Sequence, residues 1–419
     1  MVLLSIKIAV MSDFHFGHGY NTEIEDDSFD AVEEAMQQAI DCDLILILGD
    51  VFDSRVPRTA IWSKALHILT KPLLKPNPGI KFVSSTKDLK EISIRSLNHI
   101  PVVALHGNHE RRGHGEVNTL TALENAGLLV HLHMENIVFE KDGKKVAIHG
   151  MSSVPERFAK NFLEQWNPQP VAGCTNILLL HQNVDPYVFS PLEPPSLSLS
   201  TLPKGFDLIL NGHIHTTVQE KINGTPFVIT GSTIITQLKK EEAQFNKGLW
   251  KIHLDREMKV EFIPLKNNRK FFYEDIFTQG ATSLRQTVEN KIQSLLNQPH
   301  SKRPIIKLRI VGKESEVIDA DLRELEKKYS DRAIIIFVKE LESPELAKKI
   351  EFLQNIREQK LSVEEVGLSV LKKNLEELQF ATVFDYEQAF HLLSEGGVDV
   401  MLNILTGEQK TLMQSLKWK

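Results

Sequence analysis

Short unbroken runs of apolar residues recur along the first 230 positions, at 6–10, 44–48, 101–105, 146–149, 177–180, 207–210 and 227–230. Each has the length of a β-strand. Between several of them the apolar positions change to a helical period. Over 27–40, Phe29, Val32, Met36 and Ile40 share one face, with Asp27 or Ser28 as the expected N-cap, and a second helical pattern covers 116–126. Strands alternating with helices predict an α/β layered domain. Residues 71–99 break the rhythm with Pro72, Pro76, Pro78, Gly79, Ser84 and Ser85, and read as an irregular insertion or lid. Five prolines in 186–204 predict a long loop.

The pattern changes after about residue 278. A helix is expected over 283–297 with Leu284, Val288, Ile292 and Leu295 on one face, then strands at 304–310 and 333–338 flanking a helix at 319–329. That αβαβ succession predicts a small second domain. Residues 343–360 read as a charged helical linker. The last sixty residues carry apolar helical positions such as Val370, Leu371, Phe390, Leu393, Met401 and Leu405, with Asp385 as an N-cap and Gly396-Gly397 as a stop. The expected organisation is therefore 1–278, 279–342, 343–360 and 361–419.

Composition narrows the class. With 42% hydrophobic and 25% charged residues over 419 positions, the chain is a folded globular protein, long enough to bury a large core without covalent staples. Two cysteines, Cys42 and Cys174, exclude a disulfide framework and a cysteine-rich zinc site; both read as inert thiols beside strands. No stretch approaches the ~20 apolar residues of a membrane span. The N-terminal run is interrupted at Lys7 and reads as a first strand, not a signal peptide, which predicts an intracellular protein. The net charge is −6, yet residues 256–313 hold 12 Lys+Arg against 5 Asp+Glu. Arg269, Lys270, Arg285, Lys302, Arg303, Lys307 and Arg309 are either a surface for a polyanion or a solvated face, and charge alone does not choose.

The chemistry concentrates in five polar clusters, each directly after a predicted strand: Asp13-Phe14-His15, Gly49-Asp50, Gly107-Asn108-His109-Glu110, His181-Gln182 and Gly212-His213-Ile214-His215. Loops leaving the carboxyl ends of strands are where α/β sheets build sites. Imidazole, carboxylate and amide oxygen without thiolate suit manganese, iron or zinc. Alternate residues of an extended segment point the same way, so Asp13 and His15 are expected to share one cation, with the same spacing at His213 and His215. A central carboxylate can bridge two cations, and Asp50 is placed for it. The glycines at 49, 107 and 212 permit the tight turns this needs. Each cluster alone is ordinary turn chemistry; five in this order are not.

In that order the clusters resemble the calcineurin-like metallophosphoesterase superfamily, with its D-x-H, G-D, G-N-H, H and G-H-x-H. The resemblance implies a four-layer α-β-β-α sandwich with two metals at one rim. One would be held by Asp13, His15, Asp50 and His215, the other by Asp50, Asn108, His181 and His213, with His109 the catalytic histidine that is not a ligand. Ser12–Gly17, Gly49–Arg58, Leu178–Val184, Gly231–Ala243 and Lys270–Ile276 resemble more narrowly the DNA double-strand-break repair nucleases of the meiotic recombination eleven and bacterial SbcD family. That likeness implies a manganese-dependent nuclease with two Mn2+ per chain. Its activities would be 3′-to-5′ exonuclease and single-strand or hairpin endonuclease. It further implies a capping domain at 279–342, a homodimer, and helices at 361–419 that bind the coiled coil of an SMC-like ABC ATPase. Two positions depart from the family: Glu110 stands where Asp is usual, and Asp53 where several members carry a histidine. A protein phosphatase would favour Gly-Asp-x-Val-Asp-Arg-Gly, which Phe52-Asp53-Ser54-Arg55 breaks. A metal-free scaffold of this fold would show broken ligands, and none is broken.

Overall fold

The computed structural model describes residues 5–113, 115–188, 197–278, 283–313 and 319–342, with isolated positions between 367 and 400. The chain divides into two compact units, residues 1–311 with 317–340, and residues 312–316 with 341–419. The expected linker at 343–360 and helices at 361–419 lie outside the described residues apart from those isolated positions.

In the first unit the strands are β1 (Ile6–Met11), β2 (Leu44–Leu48), β3 (Lys81–Ser85), β4 (Val102–Leu105), β5 (Val130–His131), β6 (Glu135–Lys141), β7 (Lys144–Met151), β8 (Thr175–Leu180), β9 (Val184–Asp185) and β10 (Leu197–Ser198). They continue with β11 (Leu208–Asn211), β12 (Val218–Ile222), β13 (Thr225–Ile229), β14 (Gly248–Leu254), β15 (Met258–Pro264), β16 (Phe271–Phe277), β17 (Ile305–Lys313) and β18 (Ile334–Glu342). One sheet runs β15-β14-β1-β2-β4-β5, a second β12-β13-β11-β8-β7-β6-β3, and a small third β16-β17-β18. The helices are α1 (Asp27–Ala39), α2 (Thr59–Leu69), α3 (Ile94–Leu97), α4 (Thr119–Asn125), α5 (Glu156–Trp166), α6 (Leu284–Leu296) and α7 (Asp319–Tyr329).

Strand alternation divides the apolar residues among three cores. Ile8 and Val10 of β1 and Leu44, Leu46 and Leu48 of β2 face Ile148, Ile177, Leu179, Leu208 and Leu210 of the second sheet. Ala9, Met11, Ile45 and Ile47, on the opposite face, pack against Phe29, Val32 and Met36 of α1 and Ala65 of α2. Leu178, Leu180, Ile209 and Phe227 pack outward against Ala159 and Leu163 of α5. β2 is therefore buried along its whole length, which is why it reads as an unbroken apolar run. Each such Leu or Ile contributes roughly 1.5–3 kcal/mol by leaving water. The result is helix, sheet, sheet, helix, the four layers that the resemblance implies.

Two local expectations fail. Residues 71–99 are not an irregular lid: they contain a short 3-10 turn, α3 and β3, which is the antiparallel edge strand beside β6. An edge strand needs no continuous apolar run, and its register shifts between Phe82 and Ser84, so no period survives in the sequence. Neither Asp27 nor Ser28 caps α1; Asp26 occupies that position without a side-chain bond. Asp27 instead accepts from Arg269 Nε at 2.5 Å and Lys302 Nζ at 3.0 Å.

The small sheet draws β16 from before residue 278, paired in parallel with β17. Several basic residues of this region are paired within the chain. Arg269 and Lys302 bind Asp27, Arg303 binds Glu23, Arg285 binds Glu324 and Arg309 binds Asp275. Part of the charge excess of 256–313 thus fastens the small sheet and its helices to one another and to α1.

Candidate metal centre

The eight residues singled out by the sequence gather at one place. Asp13 and His15 follow β1, Asp50 follows β2, Asn108 and His109 follow β4, His181 follows β8, and His213 and His215 follow β11. The first three strands belong to one sheet and the last two to the other, so the centre lies where the two rims meet. His15 Nε2 is 3.2 Å from His215 Nε2, which is 3.5 Å from Asp13 Oδ1. On the other side Asn108 Oδ1 is 2.9 Å from His213 Nδ1 and 3.3 Å from His181 Nε2. Asp50 Oδ2 stands between the two groups, 3.4 Å from His181 Nε2 and 4.0 Å from His15 Nε2. Asp13, His15 and His215 have ligand atoms within 4.8 Å of one another, as do Asp50, His181 and His213. His15, Asp50 and His109 form a third such set, so proximity alone does not separate His109 from the others.

The backbone that achieves this is not extended, contrary to the expectation from Asp-x-His spacing. Asp13, His15, Asp50 and His213 have φ of 54°, 48°, 49° and 73°, all in the left-handed region that costs a non-glycine residue on the order of 1 kcal/mol. The side chains converge because tight turns aim them, and cross-loop bonds hold the turns: Asp13 N–H donates to Gly49 O and His15 N–H to Asp50 O, each at 3.0 Å. Three glycines, Gly49, Gly107 and Gly212, are required by space. A Cβ on Gly107 would lie 1.9 Å from Asp50 Oδ1, and one on Gly49 would lie 2.5 Å from His181 Nδ1.

Hydrogen bonds at the far side of each ring fix which nitrogen faces inward. A carbonyl can only accept, so His181 Nδ1 donates to Leu48 O, leaving Nε2 toward Asp50. His15 Nδ1 lies 3.0 Å from Asp53 Oδ1, and His215 Nδ1 lies 2.5 Å from Thr236 Oγ1. This is how protein ligands to metals are oriented by groups behind them. His109 Nδ1 donates to Asp53 O at 2.7 Å, which leaves its Nε2 available.

The electrostatics are those of a cation site. Burial pushes Asp50 upward, but the neighbouring His181 and His15 hold it well below the usual carboxylate range. Asp13 is lowered in the same way, burial being outweighed by His215 and His181. Burial drives His213 down to about 3, so it is a neutral donor, whereas His181 is raised to about 9 because Asp50 outweighs its burial. Asp13 Oδ1 is buried with no hydrogen-bond partner among the described residues. Anionic oxygens, imidazole nitrogens and one amide oxygen, closely packed, fit divalent cations and leave no role for a soft thiophilic ion.

Several supporting residues carried little or no signal in the sequence. Glu110 is fully buried and accepts from the amides of Asp50, Phe52 and Gly107 at 3.1, 2.7 and 2.7 Å, joining the second cluster to the third. Burial and the charge of Asp50 push its carboxyl up to about 7. Asp53 serves two histidines at once. Thr236 is 21 residues from its partner histidine, and only the fold brings them together.

The calcineurin-like phosphoesterase family matches residues 6–217. The chain is 25% identical over 344 residues to the double-strand break repair protein MRE11 of Encephalitozoon cuniculi, covering 76% of this chain and 57% of that protein. It is 27% identical over 278 residues to the DNA double-strand break repair protein Mre11 of Methanopyrus kandleri, covering 61% and 56%. To the human double-strand break repair protein MRE11 it is 26% identical over 364 residues, covering 73% and 50%. The chain thus spans little more than half the length of the curated relatives it matches. Among the described residues no helix is long and apolar enough to cross a membrane.

Proposed function

The chain belongs to the calcineurin-like phosphoesterase family, and from that membership we propose that it is a dimetal, manganese-dependent DNA nuclease that processes the ends of double-strand breaks. The observation that carries the reading is Asp50 Oδ2 between two ligand groups drawn from two sheets. Asp13, His15, Asp50 and His215 would hold one cation, and Asp50, Asn108, His181 and His213 the other. Bound there, two cations would bind the scissile phosphate, activate the attacking water and stabilise the leaving oxygen.

The chain's own residues do the rest. His109 presents Nε2 at the edge of the site with Nδ1 tied to Asp53 O. Burial works against its charged form, but Asp50 and Asp53 outweigh it and raise the pKa above that of a free histidine. The charged form can hold a phosphate oxygen or pass the Nε2 proton to the leaving 3′-oxygen. Similarity to double-strand break repair relatives supports DNA as the substrate class. The partner roles follow from the same likeness: 279–342 as a capping domain, 343–360 as a linker, 361–419 as the docking helices for an SMC-like ABC ATPase, and a homodimer of the whole.

End-labelled linear duplex DNA incubated with manganese, magnesium or chelator tests the activity, with a phosphomonoester in parallel. Manganese-dependent cleavage that disappears in His109→Ser, while both ions stay bound, is the expected result. Phosphomonoester turnover without DNA cleavage would move the chain to a phosphatase. Deleting 361–419 should abolish ATPase binding and spare intrinsic cleavage.

A further inference from the structure

Behind His215 lies a buried ion pair that the proposed reaction does not use. Lys247 and Glu242 are 5% and 2% exposed. Lys247 Nζ donates to Glu242 Oε1 at 2.7 Å, Ser232 Oγ at 2.8 Å and the carbonyl of His215 at 2.9 Å. Glu242 accepts from the amides of Gln237 at 2.7 Å and Thr236 at 3.4 Å. A buried pair gains little stability over apolar residues of the same volume, because desolvation offsets the attraction. What this pair does is fix geometry. It closes the segment 232–242 from both ends and sets Thr236 Oγ1 at 2.5 Å from His215 Nδ1.

The same segment is held from outside by the small sheet. Lys307 of β17 donates from Nζ to Leu238 O at 3.0 Å, and Leu238 has φ of 50°, a conformation that a leucine keeps only under constraint. Lys240 Nζ pairs with Asp275 Oδ2 of β16 at 2.6 Å, and Asp275 Oδ1 receives Arg309 Nε of β17 at 2.7 Å. One strap thus touches a ring of the centre at residue 236 and the small sheet at residues 238 and 240.

We propose that Thr236 is the positioning residue for His215, keeping Nε2 turned into the site, and that the strap 236–240 makes this position depend on where the small sheet stands. The chemistry is specific. If Nε2 is to serve a cation, Nδ1 must carry the proton and requires an acceptor, which the threonine hydroxyl supplies. A shift of β17 would pull on Leu238, two residues from that hydroxyl. The inference rests on the two-cation reading, and it goes further in assigning His215 a control that lies outside the ligand set.

The test uses the full chain stripped of metal and titrated calorimetrically with Mn2+, with 15N-imidazole NMR on the metal-free protein. Thr236→Val keeps the shape and removes the hydroxyl. It should leave one ion at wild-type affinity, weaken the other about 10–100-fold, and disturb the Nδ1–H tautomer of His215. Thr236→Ser should restore both readouts. Lys307→Met should weaken the same ion in the same direction by a smaller factor. A Thr236→Val protein that titrates and resonates like wild type, or a Thr236→Ser protein as impaired as Val, would overturn the role of Thr236. An unchanged Lys307→Met would overturn the role of the small sheet. Wild-type protein binding fewer than two ions would overturn the two-cation reading instead, and the tautomer would still decide whether Thr236 orients His215.

Discussion

Asp53 Oδ1 lies 3.0 Å from Nδ1 of His15, while the backbone carbonyl of the same residue lies 2.7 Å from Nδ1 of His109. One residue thereby orients a proposed ligand through its side chain and the proposed catalytic histidine through its main chain. Burial pushes the Asp53 carboxyl upward, but the bonds to His15 and His18 hold it well below the usual range. Asp53→Ala removes the first function and spares the second. It should weaken one of two Mn2+ ions by about 10–100-fold, with cleavage recovering at high manganese. Calorimetric titration separates the two ions, and equal affinities in mutant and wild type would count against the assignment.

Glu110 makes a stronger claim on stability. Its carboxylate is the acceptor for three buried amides, those of Asp50, Phe52 and Gly107. An unsatisfied buried amide costs about 1–3 kcal/mol, so Glu110→Ala should lose about 3–6 kcal/mol after partial relaxation. Urea unfolding of metal-free protein measures this directly. Glu110→Asp shortens the side chain by one methylene and should fall between the two, since it cannot reach all three amides at once. A loss below about 1 kcal/mol in the alanine variant would mean that water takes over the three bonds.

Space sets a third expectation. Gly107→Ala would place a methyl group 1.9 Å from Asp50 Oδ1, closer than any side chain can tolerate, and that atom belongs to the carboxylate proposed to bridge the two cations. Because Asp50 is also fixed by the His109 amide at 3.0 Å, it cannot move without disturbing His109. Both ions and all cleavage should be lost together, in contrast to the one-ion loss in Asp53→Ala. Metal content after gel filtration distinguishes them.

The division between what the chain announces and what it hides follows from where the constraints act. β1, β2, β4, β8 and β11 are legible because strands covered on both faces must be apolar throughout, and the proposed ligands are legible because they come within a few residues of those strand ends. β3 is hidden because an edge strand can be polar, and its exposed residues broke the apolar rhythm on which the reading of 71–99 relied. Asp-x-His points to residues that do converge, but for another backbone reason: the convergence comes from left-handed turns, which composition and period do not encode. Thr236, Glu242 and Lys247 act across folded distance, so no local pattern marks them. The basic stretch shows the opposite case, a local signal part of which is tied to Asp27 and Glu23, some 240 to 280 residues earlier.

The pH dependence of metal binding follows from His181. Burial disfavours its charged form, but Asp50 overcomes this and raises it to about 9. In metal-free protein at neutral pH the ring is therefore protonated, and a cation must displace that proton. Affinity for the ion at Asp50, His181 and His213 should climb about tenfold per pH unit from roughly pH 7 to 9 and level off above. Titrations in two buffers of different ionisation enthalpy should report about one proton released at pH 7. The sign for folding is opposite. A raised histidine pKa stabilises metal-free protein fully below its unfolded value near 6.5, and that contribution fades as pH rises through about 9. Metal-free protein should lose stability over the window in which the metal binds more tightly. A binding curve independent of pH would show that His181 is already neutral.

Asp27 lets the attachment of the small sheet be tested apart from the chemistry. It sits in the first turn of α1, where its charge suits the helix N-terminus, and it accepts from Arg269 Nε at 2.5 Å and Nη2 at 3.1 Å in the two-pronged geometry that favours arginine. Lys302 adds a third bond at 3.0 Å. Arg269 also donates from Nη1 to Arg303 O at 2.6 Å, so this one guanidinium links α1 to the segment entering β17. Asp27→Ala would leave the Arg269 side chain, 9% exposed, with the Glu23 carboxylate at 3.5 Å as its counter-charge among the described residues. Stranding a nearly buried charge costs about 3–5 kcal/mol when fully desolvated, and the partial exposure here reduces that to about 1–3 kcal/mol. Since none of these atoms touches the metal centre, both Mn2+ affinities should survive while amide hydrogens of β16 and β17 exchange faster. If the strap 236–240 transmits the position of the small sheet, the ion near His215 should show a modest loss in this variant too, smaller than in Lys307→Met because the strap's own bonds remain. Faster exchange with no change at that ion would mean that the sheet loosens without moving Leu238.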